Sequence, residues 1–305
     1  MRCGGLLFAF FTWLGPGIAF GATKDRVDDA TLRARIETAA NLVAAGRIVA
    51  AKERFATILA RDLKSPGGPP TEELDLTTAF GVELCSNNYP TASLSYLKRA
   101  IELAKVVFSQ THPEVALAEV DLGDCLGKTA AGKASPERQR LYQEAYQIRL
   151  ASLGAADPET IASLGNLAQV ASLQNPGTMS TARISDVLAL YDAAIKQLAA
   201  LGPDHEMDVL MIRSDRVRFL ARTNHLAEAD VDVERMLRLG DASPDVRLWS
   251  GATCEDLAKA YLARGERRRG RSLKRRCDAA FVPLLDDLRR NPPKPKTPSP
   301  PMGVG

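Results

Sequence analysis

Between Leu141 and Val170 the chain reads LYQEAYQIRLASLGAADPETIASLGNLAQV, and its apolar positions recur at the spacing of two amphipathic helices joined by a turn. Gly154 stops the first helix. Asp157 and Pro158 supply the cap and first turn of the second. The same lead-in recurs: THPEVALA from Thr111, ADPETIAS from Ala156 and PDHEMDVL from Pro203 follow helices ending in Ser109, Gly154 and Gly202. The period is roughly 45 residues, each unit holding a helix, a turn and a second helix. Within the units, small residues fall in pairs twelve apart: Ala39 with Ala51, Gly81 with Ser93, and Ala258 with Gly270. Each pair is centred close to a turn-forming residue, Gly46, Asn87 or Gly265. Residues equidistant from the turn of an antiparallel helix pair face each other, so these pairs predict close helix crossings. Leu42 with Phe55, Leu84 with Leu97, and Tyr261 with Leu273 fill the flanks.

Composition agrees. Across 305 residues, 45% are hydrophobic, only 6% are aromatic, and Ala and Leu dominate, which favours closely packed helices over a sheet. The expected class is all-α. One helix pair buries too little surface to stand alone, so such units stack and cover one another's apolar faces.

These residues resemble the tetratricopeptide repeat, in particular the kinesin light chain variety, whose helices follow a GxxHPxVA type of segment. Tyr142 and Ala145 match one second helix, and Leu167 and Ala168 the following first helix. The resemblance covers most of residues 28 to 290 and implies a right-handed α-solenoid of about six helix-turn-helix units, beginning near residues 28, 71, 113, 157, 205 and 244, whose first helices line a concave side. It puts Asp121, Asn166, Asp215 and Asp256 at matching inward positions, with Asp124, Gln169, Arg218 and Lys259 one turn further on. Such rows could bind an extended peptide or a protein partner; the same pattern also fits solvated groups on a helix face. Two places depart from the family: Arg138 stands where a small residue is usual, and Leu173 to Ala182, LQNPGTMSTA, lengthens one loop within a repeat.

Residues 1–22 read as a secretory signal peptide: Arg2, an apolar run from Leu6 to Leu14, the Gly15-Pro16-Gly17 break, and small residues up to a cleavage point near Gly21 or Ala22. No second apolar stretch of spanning length follows, so a soluble secreted or periplasmic repeat domain over 23–290 is expected. Four cysteines then remain, without the spacing of a zinc site. Cys254 and Cys277 lie eleven residues before and twelve after Gly265, so one hairpin brings them together. Cys85 and Cys125 fall at equivalent heights of consecutive first helices; they could clamp neighbouring repeats or serve as small buried thiols.

Charge is uneven although the net is only +3. The run Arg264 to Arg276 sets eight basic residues against Glu266, and Arg267, Arg268, Arg269, Arg271, Lys274, Arg275 and Arg276 form its patch. It reads as a solvated face or as a contact for an anionic envelope surface. Nucleic acid fits less well, because no aromatic residue interleaves to stack bases. Residues 291–305, NPPKPKTPSPPMGVG, read as a disordered or polyproline tail. No catalytic, metal or cofactor motif occurs: His112, His205 and His225 are the only histidines, Ser163 and Ser172 lack an apparent base, and Glu72-Glu73 and Asp286-Asp287 point about 100° apart on helices. The reading is a non-enzymatic scaffold without cofactor.

Overall fold

The computed structural model describes residues 29–62, 70–131, 134–174, 176–238 and 244–290; the expected leader and tail lie outside them. Every regular element among the described residues is helical, with twelve α-helices and two single turns of 3-10 helix. The chain divides after Leu173 into two compact units.

The first unit contains α1 (Asp29–Ala44), α2 (Ile48–Asp62), α3 (Pro70–Ser86), α4 (Pro90–Val107), α5 (Pro113–Gly127), α6 (Pro136–Ser152) and α7 (Pro158–Ser172). Consecutive helices pair as α1/α2, α3/α4 and α5/α6. First helices then pack side by side, α1 on α3 and α3 on α5, while α2, α4 and α6 each lean on the next first helix. The second unit contains α8 (Thr181–Leu201), α9 (Glu206–Arg222), α10 (Leu226–Leu237), α11 (Pro244–Ala263) and α12 (Arg267–Arg290). It repeats the scheme, with α9/α10 and α11/α12 as hairpins, α9 beside α11, and α8 and α10 leaning on α9 and α11. The helix starts at 29, 70, 113, 158, 206 and 244 fall within one residue of those expected.

Hydrophobic burial holds these layers together. In the first unit Phe55 stacks on Phe80 at 4.2 Å, with Tyr96 edge-on to both. A second cluster there gathers Leu97, Leu103, Val115, Leu122 and Leu141. In the second unit Leu210, Val217, Val233, Met236, Leu257 and Tyr261 form the core.

Four hairpins turn on one device. A single residue with positive φ ends the first helix, namely Gly46, Asn88, Asn224 or Gly265. The next amide then reaches back five residues: Arg47 N to Leu42 O, Tyr89 N to Leu84 O, His225 N to Leu220 O and Glu266 N to Tyr261 O, all 2.8–3.0 Å. This bond satisfies a carbonyl that the helix end leaves open. In the α3/α4 turn the left-handed residue is Asn88, not Asn87; the Asn87 amide folds back onto Glu83. Two of the small pairs meet at their crossings, and Ala39 and Ala51 of the other are both fully buried. Ser93 Oγ donates to Gly81 O at 2.6 Å, and a Cβ on Gly270 would stand 3.0 Å from Ala258 O. The same arithmetic about Asn224 adds a fourth crossing, Val217 against Ala229, both fully buried.

Two lead-ins match their sequence pattern. His112 Nδ1 accepts from Glu114 N at 3.2 Å, Asp157 Oδ1 accepts from Glu159 N at 2.9 Å, and Pro113 and Pro158 open the helices. The third differs: Pro203–His205 forms a 3-10 turn, α9 starts at Glu206, and His205 makes no cap but lies 3.2 Å from Asp208 Oδ2. Both cysteine pairs are joined. Cys254–Cys277 closes the α11/α12 hairpin with Cα atoms 5.7 Å apart, and Cys85–Cys125 ties α3 to α5 at 5.8 Å.

Candidate functional site

In the first unit the expected residues lie on α5 (Asp121, Asp124) and α7 (Asn166, Gln169), and α6 binds them from behind. Arg138 and Tyr142 on α6 are buried. The Arg138 guanidinium donates through Nε to Gly123 O at 2.9 Å and through Nη2 to Tyr142 Oη at 3.0 Å and Gln169 Oε1 at 2.5 Å. Tyr142 Oη in turn donates to Asp124 Oδ1 at 2.5 Å. One side chain of α5 and one of α7 are thus held through a single pair on α6.

Glycines on α5 make the room. A Cβ on Gly123 would stand 2.5 Å from the Tyr142 ring, and one on Gly127 would stand 2.7 Å from Arg138 Cζ. The large residue at a position usually small in the family is therefore met by missing side chains on the helix it faces. Gly123 and Gly127, one turn apart in a helix, were the signal for this network that the sequence reading passed over.

Asp124 remains open to solvent, yet protein surrounds it densely. Desolvation raises its carboxyl above the ordinary range, against the Tyr142 hydrogen bond and the Arg138, Lys128 and Arg149 charges, which lower it. Burial, followed by the Asp124 charge, pushes the Tyr142 phenol up, so it stays a donor. Asp121 and Asn166 are half-buried, and among the described residues the Asn166 amide has no hydrogen-bond partner. A turn deeper, Arg149 Nη1 donates to Ser163 Oγ at 2.9 Å, with Glu159 at 3.3 Å from Nη2. Burial lowers the Arg149 pKa, while Glu159 and Asp121 oppose that shift. Ser163 therefore sits in a structural contact, and Ser172 Oγ donates to Gln169 O at 2.7 Å.

The second unit arranges its residues differently. Arg218 on α9 lies between two carboxylates, 3.2 Å from Asp215 Oδ1 on its own helix and 3.1 Å from Asp256 Oδ2 on α11. Lys259 is exposed and pairs with Glu255 at 3.1 Å. Beneath them the buried Thr253 Oγ1 donates to Ser214 Oγ at 2.9 Å, joining α11 to α9. The basic patch on α12 is exposed throughout. Arg269 approaches Glu266 (3.5 Å), Lys274 pairs with Asp278 (3.0 Å), and Arg276 holds Glu234 of α10 through a 2.7 Å bond. His225 Nδ1 lies 3.1 Å from Thr223 Oγ1 in the α9/α10 turn.

Two solved structures share this architecture. One, from Podosopora anserina, is described as a kinesin light chain with nearly identical TPR-like repeats; it is 16% identical, with a TM-score of 0.54 over 70% of this chain and 97% of that one. A variant of it gives a TM-score of 0.55 at 16% identity, over 71% and 98%. The fold is that of the tetratricopeptide repeat. Neither a family model nor a curated protein sequence matches the chain. In tetratricopeptide-repeat terms α5, α7, α9 and α11 are first helices, α6, α10 and α12 second helices, and the Arg138 network joins a second helix to the first helices before and after it.

Proposed function

We propose that the protein is an exported, non-enzymatic scaffold that binds a protein or peptide segment along its first helices. The tetratricopeptide fold is generally an interaction scaffold. The observation that carries the reading is the polar row of α5 and α7: Asp124 accessible but braced by Tyr142, Gln169 braced by Arg138, and the Asn166 amide unengaged. Held acceptors beside a spare amide suit the alternating N–H and C=O groups of an extended chain, because little side-chain entropy remains to be lost on binding. In the second unit Arg218 is already shared between Asp215 and Asp256 and has less to offer. Export draws support from the leader-like residues 1–22 and from two disulfides, which persist in oxidising compartments.

The test is selection of a displayed random peptide library against the chain. Selected peptides are expected to lose about tenfold in affinity on Asn166→Ala or Asp124→Asn, one hydrogen bond's worth. They should ignore Glu102→Gln on the outer helix α4. Peptides indifferent to every substitution on α5 and α7 refute the site.

A further inference from the structure

The basic run of α12 resolves into two groups. Arg269, Lys274 and Arg276 each have an acidic partner, whereas Arg267, Arg268, Arg271 and Arg275 are exposed and have none among the described residues. At ~3.6 residues per turn, these four fall within an arc of about 100° and along about 12 Å of helix. Gly270, Leu273 and Cys277, the residues buried against α11, lie roughly 140° round the same helix. The four arginines therefore form one stripe on the outward side of α12.

No acidic side chain among the described residues accounts for that stripe. Its first members open the helix, whose initial turn contains no acidic residue, so like charges crowd the positive end of the helix dipole. An anion brought from outside relieves both the crowding and the dipole. Guanidinium groups present fixed forks that match phosphate oxygens in a way ammonium groups do not. The flanking Ser272 and Ala279 are small and exposed, so they raise no wall over a ligand. The stripe is straight, and Asp278, which continues its arc one turn beyond Arg275, is engaged by Lys274; a row of guanidinium groups so placed suits a plane of fixed negative charges, where each contact adds to the last. Among the described residues no helix is long and apolar enough to cross a membrane.

We propose that the outward face of α12 docks the protein on an anionic phospholipid surface, through Arg267, Arg268, Arg271 and Arg275. This goes beyond peptide binding by the first helices and does not depend on it.

The test is cosedimentation of the full chain with vesicles of phosphatidylcholine alone and of phosphatidylcholine mixed equally with phosphatidylglycerol. Binding is expected only to the mixed vesicles and should fall as salt is raised. Replacing the four arginines by Gln should weaken it several-hundred-fold, at about fivefold per residue. The quadruple Lys variant should retain most of it, and circular dichroism checks that both variants are folded. Lys98→Gln, Arg99→Gln, Arg140→Gln and Lys259→Gln together remove the same charge from ion-paired positions, and should cost less than about tenfold. Equal losses in the two Gln variants, or equal binding to neutral vesicles, overturn the proposal. So does displacement by inorganic phosphate matched to the lipid phosphate, which marks a free-anion site, or tighter capture of polyglutamate, which marks an acidic protein partner.

Discussion

The two units support similar polar rows by different means. On α5 and α7 the row is held from behind by buried side chains of α6; on α9 and α11 it is held across the surface by ion pairs that Arg218 makes with Asp215 and Asp256. The disulfides differ in the same sense, one joining successive first helices, α3 and α5, and the other closing the single hairpin α11/α12. Bracing from behind sets the polar end of a side chain at the surface without a surface ion pair, whereas bracing in the plane uses one. On the proposed reading the first unit presents its row and the second neutralises its own.

The largest test of this contrast is Arg138→Ala. It strips a buried cation from Gly123 O, Tyr142 and Gln169 and leaves a void beside Gly127, so a loss of about 3–4 kcal/mol in urea unfolding is expected. Arg218→Ala, at the surface, should cost less than about 1 kcal/mol. If the two losses are equal, the distinction between the units falls. Replacing both Cys85 and Cys125 by Ser should cost about 2–4 kcal/mol, as should the Cys254 and Cys277 pair, because each bond restricts the unfolded chain. The first pair should also speed hydrogen exchange at the α3/α5 contact, and the second only within α11/α12.

Acid–base chemistry sharpens the contrast further. Glu119 on α5 is buried beside Lys105 of α4, and desolvation raises its pKa to about 7, with the Lys105 charge opposing and the Glu144 charge adding. Because the folded value exceeds the unfolded one, the fold prefers the protonated acid. That contribution is full below the unfolded pKa and is lost as pH rises through about 7. Glu119→Gln should therefore add about 1–3 kcal/mol at pH 8, nothing at pH 4, and flatten the fall between them. Denaturation midpoints across that range measure it.

A gain is expected at Ser109, just after α4, which has φ 141° where its counterparts are Gly154 and Gly202. Only glycine is at ease there, so Ser109→Gly should raise stability by about 1 kcal/mol, read as a higher Tm.

The helix pairs were legible because they are local. Small residues equidistant from a turn and a recurring capped lead-in need no knowledge of distant chain, and the same count placed Cys254 near Cys277. The reading missed where local chemistry was ambiguous. The crossing at Val217 escaped notice because valine is not small. The lead-in at Pro203 shares the letters of its counterparts, but no side chain caps the helix behind it. The candidate site was legible only as positions on helices. Which of those positions are occupied depends on side chains far along the chain: Gln169 lies 31 residues from Arg138, and Asp256 lies 38 from Arg218. Helical periodicity contains no information on such pairs.

Stacked repeats open most readily at their ends, where a unit has one neighbour instead of two. The bond from Cys254 to Cys277 makes the last described hairpin a covalent ring. A protease that cuts at the exposed Gly265 turn would release no fragment, and the two strands of the severed loop would stay side by side, ready to re-form their contacts.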